Sequence, residues 1–307
     1  MIRNNAIILV TFLLSFGQLV CQTNKTYIEE TTTLKVLSYN IWNGFDWGKD
    51  EDRREKLTSW INSKKPDVVA FQELCAYTEE KLLEDAKKWG HDYAIILKND
   101  GYPVGLTSSK PIHLKERARE NLWHGMLHCE TWGIDFFVVH LSPADRDFRY
   151  REAQIIKEKV ENIENENYIV LGDFNAHSPF DGDQDQSNTS LLEKVRMRDD
   201  KKENQNNLLD SQFDYSVLSS FLALPLIDVV RRYVGPEDRF TFPARVLIGI
   251  WQTAEEIEKN KHRIDYILTS RALAKTCTNA FVFNKEETGL LSDHYPVMAS
   301  FQLYKGK

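Results

Sequence analysis

The chain has 307 residues, of which 42% are hydrophobic and 28% are charged, and its formal net charge is −7. This length allows one large domain or two small ones, and the composition is ordinary for a soluble globular protein. The net negative charge excludes a global basic footprint for nucleic acid. It does not exclude a nuclease, because metal-binding carboxylates make such an active site acidic in any case.

The first 21 residues are predicted to be a secretory signal peptide. Arg3 provides a positive start, residues 6–14 are almost continuously apolar, and small or mildly polar residues follow, as in cleavable signals. The apolar run is short for a membrane span, although a single-span anchor stays open, and the residues before Cys21 fit a lipoprotein signal poorly. We therefore expect a secreted, periplasmic or otherwise extracytoplasmic protein, with no stable membrane span after cleavage near Cys21 and Gln22.

Removal of the signal leaves three cysteines, Cys75, Cys129 and Cys277. Their spacing matches no zinc or redox motif. One disulfide among them and three buried free thiols are both compatible with the sequence.

A polar, flexible lead is predicted at residues 22–33, and residues 34–304 are predicted to form a single domain. Short apolar runs that end in turn residues indicate strands, and apolar residues three or four apart indicate helices. Several helices lie between many strands, so the sheets should be covered on their outer faces, giving a layered α/β or α+β domain. The predicted strands are 34–41, 67–72, 93–97, 104–108, 126–131, 134–141, 168–172, 263–269 and 297–303, and the predicted helices are 50–64, 78–89, 146–163 and 213–222.

Residues 181–212 are predicted to be a polar insertion, partly helical around residues 191–196. Few apolar residues occur there, which argues against a buried role. The insertion follows the strand 168–172 and should lie near the end of that strand. Its cations are expected to form a solvated charge run, with a phosphate-binding arm as the less favoured alternative. These cations are Lys194, Arg196, Arg198, Lys201 and Lys202.

Polar side chains recur at the ends of the predicted strands. Asp173 and Asn175 flank Phe174, and in extended backbone both would point to the same side. Asp265 interrupts an apolar strand, and a buried charge costs several kcal/mol unless it is paired. Each residue alone has a structural explanation, such as a turn or a helix cap, but together they indicate a metal-assisted phosphate site. The remaining members are Asn40, Glu73, His140, Asp293 and His294.

In this order the motifs resemble those of the endonuclease/exonuclease/phosphatase superfamily, the deoxyribonuclease I-like hydrolases. The resemblance extends over about residues 34–304, and the set is specific as an ordered ensemble although each motif is weak alone. It implies a four-layered sandwich of two packed, mostly antiparallel β-sheets flanked by helices. The residues that carry it are 37–43, 67–73, 139–141, 172–175, 263–267 and 292–297.

The resemblance further implies a divalent cation, Mg²⁺ or Mn²⁺, as cofactor. Glu73 would be the principal ligand, assisted by Asn40, and Asp293 would complete the metal environment or hold a second ion. An oxygen-rich site that keeps several waters suits Mg²⁺. Some family nucleases carry an acid two residues after the first Asn, where this chain has Trp42, so the metal site would depend more on Glu73 and Trp42 would face the substrate.

The remaining residues take catalytic roles by the same resemblance. His294 would be a general base or charge stabiliser oriented by Asp265. Asp173 and Asn175 would position the attacking water and a phosphate oxygen, and His140 would bind or protonate another phosphate oxygen. These groups would neutralise charge that grows on the phosphoryl oxygens during hydrolysis.

The favoured function is that of a secreted, divalent-metal-dependent hydrolase of phosphodiester bonds, nuclease-like in mechanism, with DNA and RNA as candidate substrates. The alternative is a sphingomyelinase-like or small-molecule phosphoester hydrolase, and a catalytically silent binding module is the least favoured. The site residues specify the reaction and leave the substrate and the oligomeric state open.

Two further segments bear on the substrate. Residues 240–245 include Thr241, Phe242 and Arg245, which could hold a base or a headgroup. The apolar run 246–251 is expected to be another core strand, with a membrane-touching lip as the alternative. Arginines that follow His140 could contact phosphate, although basic residues at a helix start are unremarkable. They are Arg146, Arg149 and Arg151.

Overall fold

The structure, a computed structural model, describes residues 31–304 apart from Lys202, Asn204 and Glu286. The predicted signal peptide and most of the predicted lead lie outside the described residues. The first strand begins at Thr31, three residues before the expected start, because these β-branched threonines pair with the last strand of the chain. Within the described residues, no helix is long and apolar enough to cross a membrane.

The strands are numbered in chain order. They are β1 Thr31–Asn40, β2 Val68–Gln72, β3 Tyr93–Ile96, β4 Gly105–Ser108, β5 His113–Ala118, β6 Met126–Thr131, β7 Ile134–His140, β8 Tyr168–Asp173, β9 Leu208–Leu209, β10 Gln212–Phe213, β11 Ile227–Asp228, β12 Asp265–Thr269, β13 Cys277–Val282 and β14 Val297–Tyr304.

These strands form two six-stranded sheets and the small hairpin β9–β10. The first sheet has the order β13-β14-β1-β2-β4-β3, and the second has the order β11-β12-β8-β7-β6-β5. The parallel pairs are β1–β2 and β7–β8, one in each sheet, and the other neighbours in both sheets are antiparallel. Both sheets are therefore mostly antiparallel, as predicted.

Three apolar layers hold the domain together. Between the sheets, Val36 and Val68 of the first share a cluster with Phe136 and Leu171 of the second. Helices cover the outer face of each sheet, two on the first sheet and two on the second. The order helix, sheet, sheet, helix confirms the predicted four-layered α/β sandwich. The covering helices are Glu51–Lys64 and Glu79–Lys88 on the first sheet, and Arg146–Glu161 and Ser216–Ala223 on the second.

The two parallel pairs bring the ends of four strands to one edge of the sandwich. Asn40 at the end of β1 is level with Gln72 at the end of β2, and His140 at the end of β7 is level with Asp173 at the end of β8. Strand β12 runs antiparallel to β8, so its first residue, Asp265, lies opposite Asp173. The polar strand ends therefore share one edge.

The polar segment 181–212 is more helical than predicted, although most of its described residues are exposed or half-buried, as its composition indicates. Its second helix extends well beyond residues 191–196, and Leu191 packs with Leu208 and Phe213 in a small apolar cluster. A few apolar residues at helical spacing are enough to dock a helix, and the low average hydrophobicity concealed them. The helices of this segment are Gly182–Ser187 and Thr189–Lys201, and the further helices of the chain are Ala254–Lys259 and Arg271–Ala274.

The prediction of a core strand at residues 246–251 is wrong. Arg245–Leu247 is a single 3₁₀ turn, and the chain then reverses, so that Gly249 donates its N–H to the carbonyl of Gln252. Ile250 and Trp251 are 55% and 65% exposed. An apolar run alone does not distinguish a buried strand from an exposed loop, because burial depends on which distant strands are free to pair with it.

Besides the short hairpin β9–β10, three strands are absent from the sequence prediction: β5, β11 and β13. All three lie at sheet edges, where one side of the strand has no neighbour. The burial pattern of β5 is largely exposed, so it lacks the apolar signal on which the prediction depends.

Cys75, Cys129 and Cys277 are free and buried. Burial raises the pKa of Cys75 and that of Cys129 to about 12. Of the two alternatives that the sequence left open, the structure therefore has the buried, unreactive thiols.

Candidate active site

The buried pair of His294 and Asp265 lies at the centre of the shared edge. Strand β14 begins opposite Ser38 of β1, so the turn before β14 carries His294 to this edge. The Nδ1 atom of His294 lies 2.9 Å from Oδ2 of Asp265, and its Nε2 atom lies 3.7 Å from Oδ2 of Asp173. These three side chains are 5%, 3% and 1% exposed. Asp265 has the partner that its position in an apolar strand required.

The protonation of this cluster follows from burial and from its carboxylates. Burial by itself lowers the pKa of His294, but Asp265, Asp173 and Asp293 outweigh it and hold that pKa well above its usual range. Burial raises the pKa of Asp173 to about 7, with a further contribution from Asp265 and an opposing one from His294. His294 is therefore a cation near neutral pH, beside an acid that titrates in the same range.

Asn40 links the first sheet to this cluster. Its Nδ2 atom donates to Oε1 of Glu73 at 3.2 Å and to Oδ2 of Asp173 at 3.1 Å. Its Oδ1 atom accepts a hydrogen bond from the N–H of Trp42 at 3.1 Å. The carboxylates of two different sheets therefore meet at one amide.

Asn175 reaches the site by a different route from the one predicted. Its backbone is left-handed, with φ 47°, instead of extended. Its N–H donates to Oδ1 of Asp173 at 2.9 Å, and its Nδ2 donates to the carbonyl of Leu141 at 3.0 Å. A tight turn, and not strand alternation, places Asp173 and Asn175 side by side.

The loop after β1 is an unusual left-handed turn. Residues from Trp42 to Trp47 all have φ between 46° and 64°, a conformation that costs roughly 1–2 kcal/mol per non-glycine residue. Gly44 is required there, because a Cβ at this position would lie 2.1 Å from the carbonyl oxygen of Cys75. The turn aims the N–H of Asn43 at Oε2 of Glu73, 2.6 Å away. Strained backbone of this kind is typical of functional sites.

His140 ends β7 beside Asp173, with Nε2 3.5 Å from Oδ2 of that acid. Its ring stacks on His124, with centroids 4.1 Å apart. Burial, with His124 and His294 adding to it, holds the pKa of His140 well below its usual range. Its Nδ1 atom has no hydrogen-bond partner among the described residues. His140 is therefore a neutral ring whose Nε2 atom is directed at Asp173 and whose Nδ1 atom is buried without a partner among the described residues.

Asp293 lies next to His294 in the turn before β14. Its Oδ1 atom accepts a hydrogen bond from the Ser292 hydroxyl at 3.3 Å, and the same hydroxyl donates to the carbonyl of Asn40 at 2.7 Å. Burial raises the pKa of Asp293 to about 7, with Glu73 adding to the effect and His294 opposing it. The influence of Glu73 indicates that the two predicted metal-binding acids lie close to each other.

The donor set fits a hard divalent cation. Glu73, Asp173 and Asp293 offer carboxylate oxygens, and burial, reinforced by a neighbouring acid, raises the pKa values of both aspartates, so that a cation beside them would stabilise their ionised forms. Ligand atoms of Asp173, Asp265 and His294 also lie within 4.8 Å of one another. Among the described residues this second group has ligand atoms that converge more closely than those of the three carboxylates, but Asp265 in it already accepts the hydrogen bond of His294.

A cavity of about 630 Å³ opens on these residues and includes Glu73, Asp173 and His294 in its lining. Trp42 also lines the cavity, and its ring packs edge-on against Trp251 with centroids 5.8 Å apart. Helix Thr189–Lys201 of the polar segment forms another part of the wall. This volume is in the range of small-ligand sites, which span roughly 300–1,000 Å³.

Three residues support the site in ways that the sequence did not predict. Thr241 accepts hydrogen bonds at Oγ1 from the N–H groups of Ile264 and Asp265, at 3.0 and 3.1 Å, and so fixes the start of β12. Ser292 and His124 were also missed as individual residues. Thr241 and Ser292 lie in segments that the sequence marked, but His124, alone in a loop, carries no local signal.

Comparison with curated protein sequences gives no significant match. Solved structures with this fold include an AP endonuclease from Archaeoglobus fulgidus, with a TM-score of 0.63 and 17% identity over 87% of this chain and 99% of that chain. A 3′ phosphatase from Neisseria bound to a product DNA hairpin has a TM-score of 0.61 and 17% identity, and a 3′-5′ exonuclease from Neisseria meningitidis has 0.59 and 16%, both over 87% of this chain and 99% of theirs.

At these identities the likeness to solved structures establishes the fold alone. The sequence itself matches the Endonuclease/Exonuclease/phosphatase family over residues 37–294. This range includes all eight residues predicted for the site, from Asn40 to His294. The chain therefore belongs to the Endonuclease/Exonuclease/phosphatase family of phosphoester hydrolases.

Proposed function

We propose that this protein is a divalent-metal-dependent phosphodiesterase with a nuclease-like mechanism, secreted after removal of residues 1–21. The observation that carries the proposal is the buried ring of His294, hydrogen-bonded to Asp265 at 2.9 Å and directed at Asp173. An anionic phosphodiester needs positive charge and hydrogen-bond donors around its phosphoryl oxygens, and an acid that can accept a proton from water.

Mg²⁺ or Mn²⁺ is the proposed cofactor. Glu73 and Asp293 would hold it, with Asn40 keeping Glu73 and Asp173 in register through its amide. The metal would supply neutralising charge at the phosphate, which the net-acidic cluster of side chains lacks. The N–H of Asn43 orients Glu73 from behind, at 2.6 Å from its Oε2 atom.

The side chains divide the chemistry by their charge. Asp173, whose pKa burial raises to about 7, is suited to accept a proton from the attacking water at neutral pH. His294, held as a cation by Asp265, is suited to donate a hydrogen bond from Nε2 to a phosphoryl oxygen. Of the two roles that the resemblance left open for His294, this favours charge stabilisation. His140, being neutral, would bind another phosphate oxygen through Nε2, the ring nitrogen that lies near Asp173.

Nucleic acid is the favoured substrate. The cavity wall combines aromatic side chains, such as Trp42, Trp123 and Phe213, with the cations Lys194 and Arg198, and aromatic rings with nearby positive charge suit stacked bases and their phosphates. Two of the structural neighbours, an AP endonuclease and a 3′ phosphatase bound to a product DNA hairpin, are described by their action on or binding to DNA. This supports the choice of substrate class to test first.

A lipid headgroup is the second candidate, because an exposed apolar segment borders the same cavity. Ile248, Ile250 and Trp251 are 40%, 55% and 65% exposed, and Trp251 lines the cavity. A loop of this composition could rest on a membrane interface. It favours a sphingomyelinase-like activity over hydrolysis of a small soluble ester.

One substrate panel tests these proposals. The purified mature chain is incubated with plasmid DNA, single-stranded DNA, RNA, sphingomyelin vesicles and bis(p-nitrophenyl) phosphate, each with Mg²⁺ and with EDTA, and with a His294→Ala variant as the blank. We expect metal-dependent cleavage of nucleic acid. Release of phosphocholine without any cleavage of DNA or RNA would reverse the ranking, and activity in EDTA would remove the metal from the mechanism.

The location is tested separately. Expression of the full chain in a secreting host, followed by N-terminal sequencing of the exported protein, should give a mature start near Gln22. A product that stays in the cell with Met1 intact would contradict the signal peptide.

A further inference from the structure

One wall of the cavity is a single face of helix Thr189–Lys201. Leu191, Lys194, Val195 and Arg198 all line the cavity, and their spacing of three and four residues is that of one helix face. Lys194 and Arg198 are one turn apart, and like charges at this spacing destabilise an isolated helix. The arrangement therefore has no explanation in the stability of the helix itself.

A third cation, Arg149, lines the same cavity and is only 4% exposed. Its Nη1 atom donates to the carbonyl of Ser142, and its Nη2 atom donates to Oδ1 of Asn207 at 3.1 Å. Its Nε atom is buried and has no partner among the described residues. The guanidinium thus has neutral acceptors only, and burial lowers the pKa of Arg149 to about 10.

Another buried arginine, Arg263, has carboxylate partners. Arg263, also 4% exposed, lies 2.6 Å from Asp181 and 2.8 Å from Asp228. Burial lowers its pKa, but these acids outweigh it and the pKa is raised. A buried charge normally has such a partner, because an unpaired one carries a large desolvation penalty. In the described part of the chain no carboxylate lies within ion-pair distance of Arg149, and the more distant Glu152 and Asp214 offset only part of the effect of burial on its pKa.

The other two cations are also without a carboxylate partner. Lys194 donates to the neutral amide oxygen of Gln252 at 3.1 Å. Among the described residues no carboxylate lies within ion-pair distance of Lys194 or Arg198. The nearest candidate for Arg198, the adjacent Asp199, is occupied by the N–H groups of Asn207 and Leu208 at 2.6 and 3.2 Å.

This basic wall is continuous with the reactive edge. Arg149 holds the carbonyl of Ser142, and the preceding residue, Leu141, accepts the hydrogen bond from Asn175 at 3.0 Å. Asn175 in turn donates its N–H to Asp173. Asp173 also raises the pKa of Arg149, so the reactive edge and the basic wall lie within electrostatic reach of each other.

We propose that Arg149, Lys194 and Arg198 form an anion subsite that binds a second phosphate group of the substrate, beside the phosphodiester that is cleaved. The inference rests on the proposed function and narrows it to substrates that carry at least two phosphates, such as an oligonucleotide. The buried Arg149 and the exposed Lys194 and Arg198 have no ion-paired carboxylate among the described residues, and that phosphate would give them a shared partner by charge-assisted hydrogen bonds.

The test compares three dinucleotides: thymidylyl-thymidine without a terminal phosphate, with a 5′-phosphate and with a 3′-phosphate. Cleavage of the internal diester is followed by chromatography in the presence of Mg²⁺. For the wild type we expect kcat/KM to be at least about tenfold higher for one of the phosphorylated dinucleotides, mainly through a lower KM. Equal kcat/KM for all three would overturn the subsite.

The variant Lys194→Gln with Arg198→Gln should reduce that preference to within about twofold. The matched control is Arg196→Gln, on the same helix but paired with Glu193 at 2.8 Å and absent from the cavity lining, and it should keep the full preference. A double variant that keeps the preference would contradict the assignment. Thermal melting checks that the exposed substitutions leave the fold intact.

Failure of the proposed function gives a different result. If the wild type cleaves none of the dinucleotides, calorimetric binding of inorganic pyrophosphate still tests the subsite. Binding to the wild type and to Arg196→Gln, with at least about tenfold weaker binding to the double variant, supports an anion subsite in a protein of another activity. Equal binding to all three proteins, or binding to none, overturns it.

Discussion

The ring of His294 is shared between two aspartates of different roles, with Nδ1 2.9 Å from Asp265 and Nε2 3.7 Å from Asp173. The shorter contact is a hydrogen bond that fixes the ring, and the longer one leaves Nε2 facing the cavity. A histidine held in this way presents one nitrogen to a substrate in a constant orientation. The two acids therefore contact the ring differently although they lie opposite each other in neighbouring strands, and we propose different roles for them.

The first prediction concerns His294 itself. His294→Ala should lower kcat by about a hundredfold or more, because it removes the cation that faces the phosphate, while the fold stays intact. Turnover of bis(p-nitrophenyl) phosphate and thermal melting would be measured together. His113→Ala, on the exposed part of strand β5, is the control and should match the wild type. Near-normal turnover in His294→Ala would remove His294 from the mechanism.

The second prediction concerns the acid behind the ring. Asp265→Asn should lower kcat by about a hundredfold or more and should lower the pKa of His294 toward its usual value, because Asp265 is the strongest of the charges that raise it. Nuclear magnetic resonance titration of the ring protons would measure the pKa. Asp135→Asn is a matched control, since Asp135 pairs with His128 at 2.6 Å on another part of the second sheet. If the His294 pKa does not move in Asp265→Asn, the pairing is not what holds the charge.

The third prediction concerns the proposed metal ligand. Glu73→Gln should weaken Mn²⁺ binding by at least about tenfold, because it removes the carboxylate that the left-handed turn and Asn40 orient. Calorimetric titration with Mn²⁺ would measure this without reference to activity. Glu55→Gln, an exposed position in helix Glu51–Lys64, should bind like the wild type. Equal affinities for both variants would move the metal to the group of Asp173, Asp265 and His294.

The sequence predicts those parts of the site that depend on local patterns, and it does not predict the parts that depend on contacts between residues far apart in the chain. The polar strand ends are local patterns, so Asn40, Glu73, Asp173 and His294 were identified before the fold was known. These residues come together because the parallel strand pairs β1–β2 and β7–β8 end at the same edge of the sandwich. Asp265 was expected to have a partner because a buried charge requires one, and the structure provides it.

The predictions that were wrong or incomplete concern residues whose environment depends on distant parts of the chain or on backbone conformation. Trp251 was assigned to a core strand because its neighbours are apolar, but only the distant strands decide whether such a run is buried. Arg149 appeared as an ordinary cation at a helix start, and its burial comes from packing against Asn207 and Ser142. Asn175 reaches the site through a left-handed turn. The sequence Gly-Asp-Phe-Asn is compatible both with this turn and with an extended strand end, so it does not predict which of the two forms.

The fourth prediction concerns pH and metal. Asp173 and Asp293 have pKa values of about 7 in the folded, metal-free site, above their ordinary range. Each therefore stabilises the fold when the pH is below the unfolded-state pKa, and this contribution is lost as the pH rises through about 7. A divalent cation competes with those protons. The rise in melting temperature on adding Mg²⁺ should therefore be larger at about pH 8 than at about pH 5.5.

The measurement is the difference between the melting temperatures with Mg²⁺ and with EDTA at each pH. The contributions of histidines that are not proposed to bind the metal cancel in this difference. His91 and His262, whose pKa values burial lowers to about 4 and about 3, are among these. Asp293→Asn should reduce both the metal effect and its dependence on pH. A metal effect that is constant across this range would show that these carboxylates are not displaced by the cation.

The last prediction concerns Gly172, which stands inside strand β8 and not at its end. Its φ is +139°, and a Cβ at this position would lie 2.0 Å from the carbonyl oxygen of Val139 in the neighbouring strand β7. Only glycine permits the close approach that sets His140 level with Asp173. Gly172→Ala should therefore lower the free energy of unfolding by roughly 3 kcal/mol or more.

Gly133→Ala is the control that separates the clash from the backbone strain. Gly133 also has a positive φ, +71°, but no atom lies within 4 Å of the added Cβ. This substitution should lower the free energy of unfolding by only about 1 kcal/mol. Urea denaturation of both variants gives the comparison, and equal losses would mean that the close contact of the two strands is not what requires glycine.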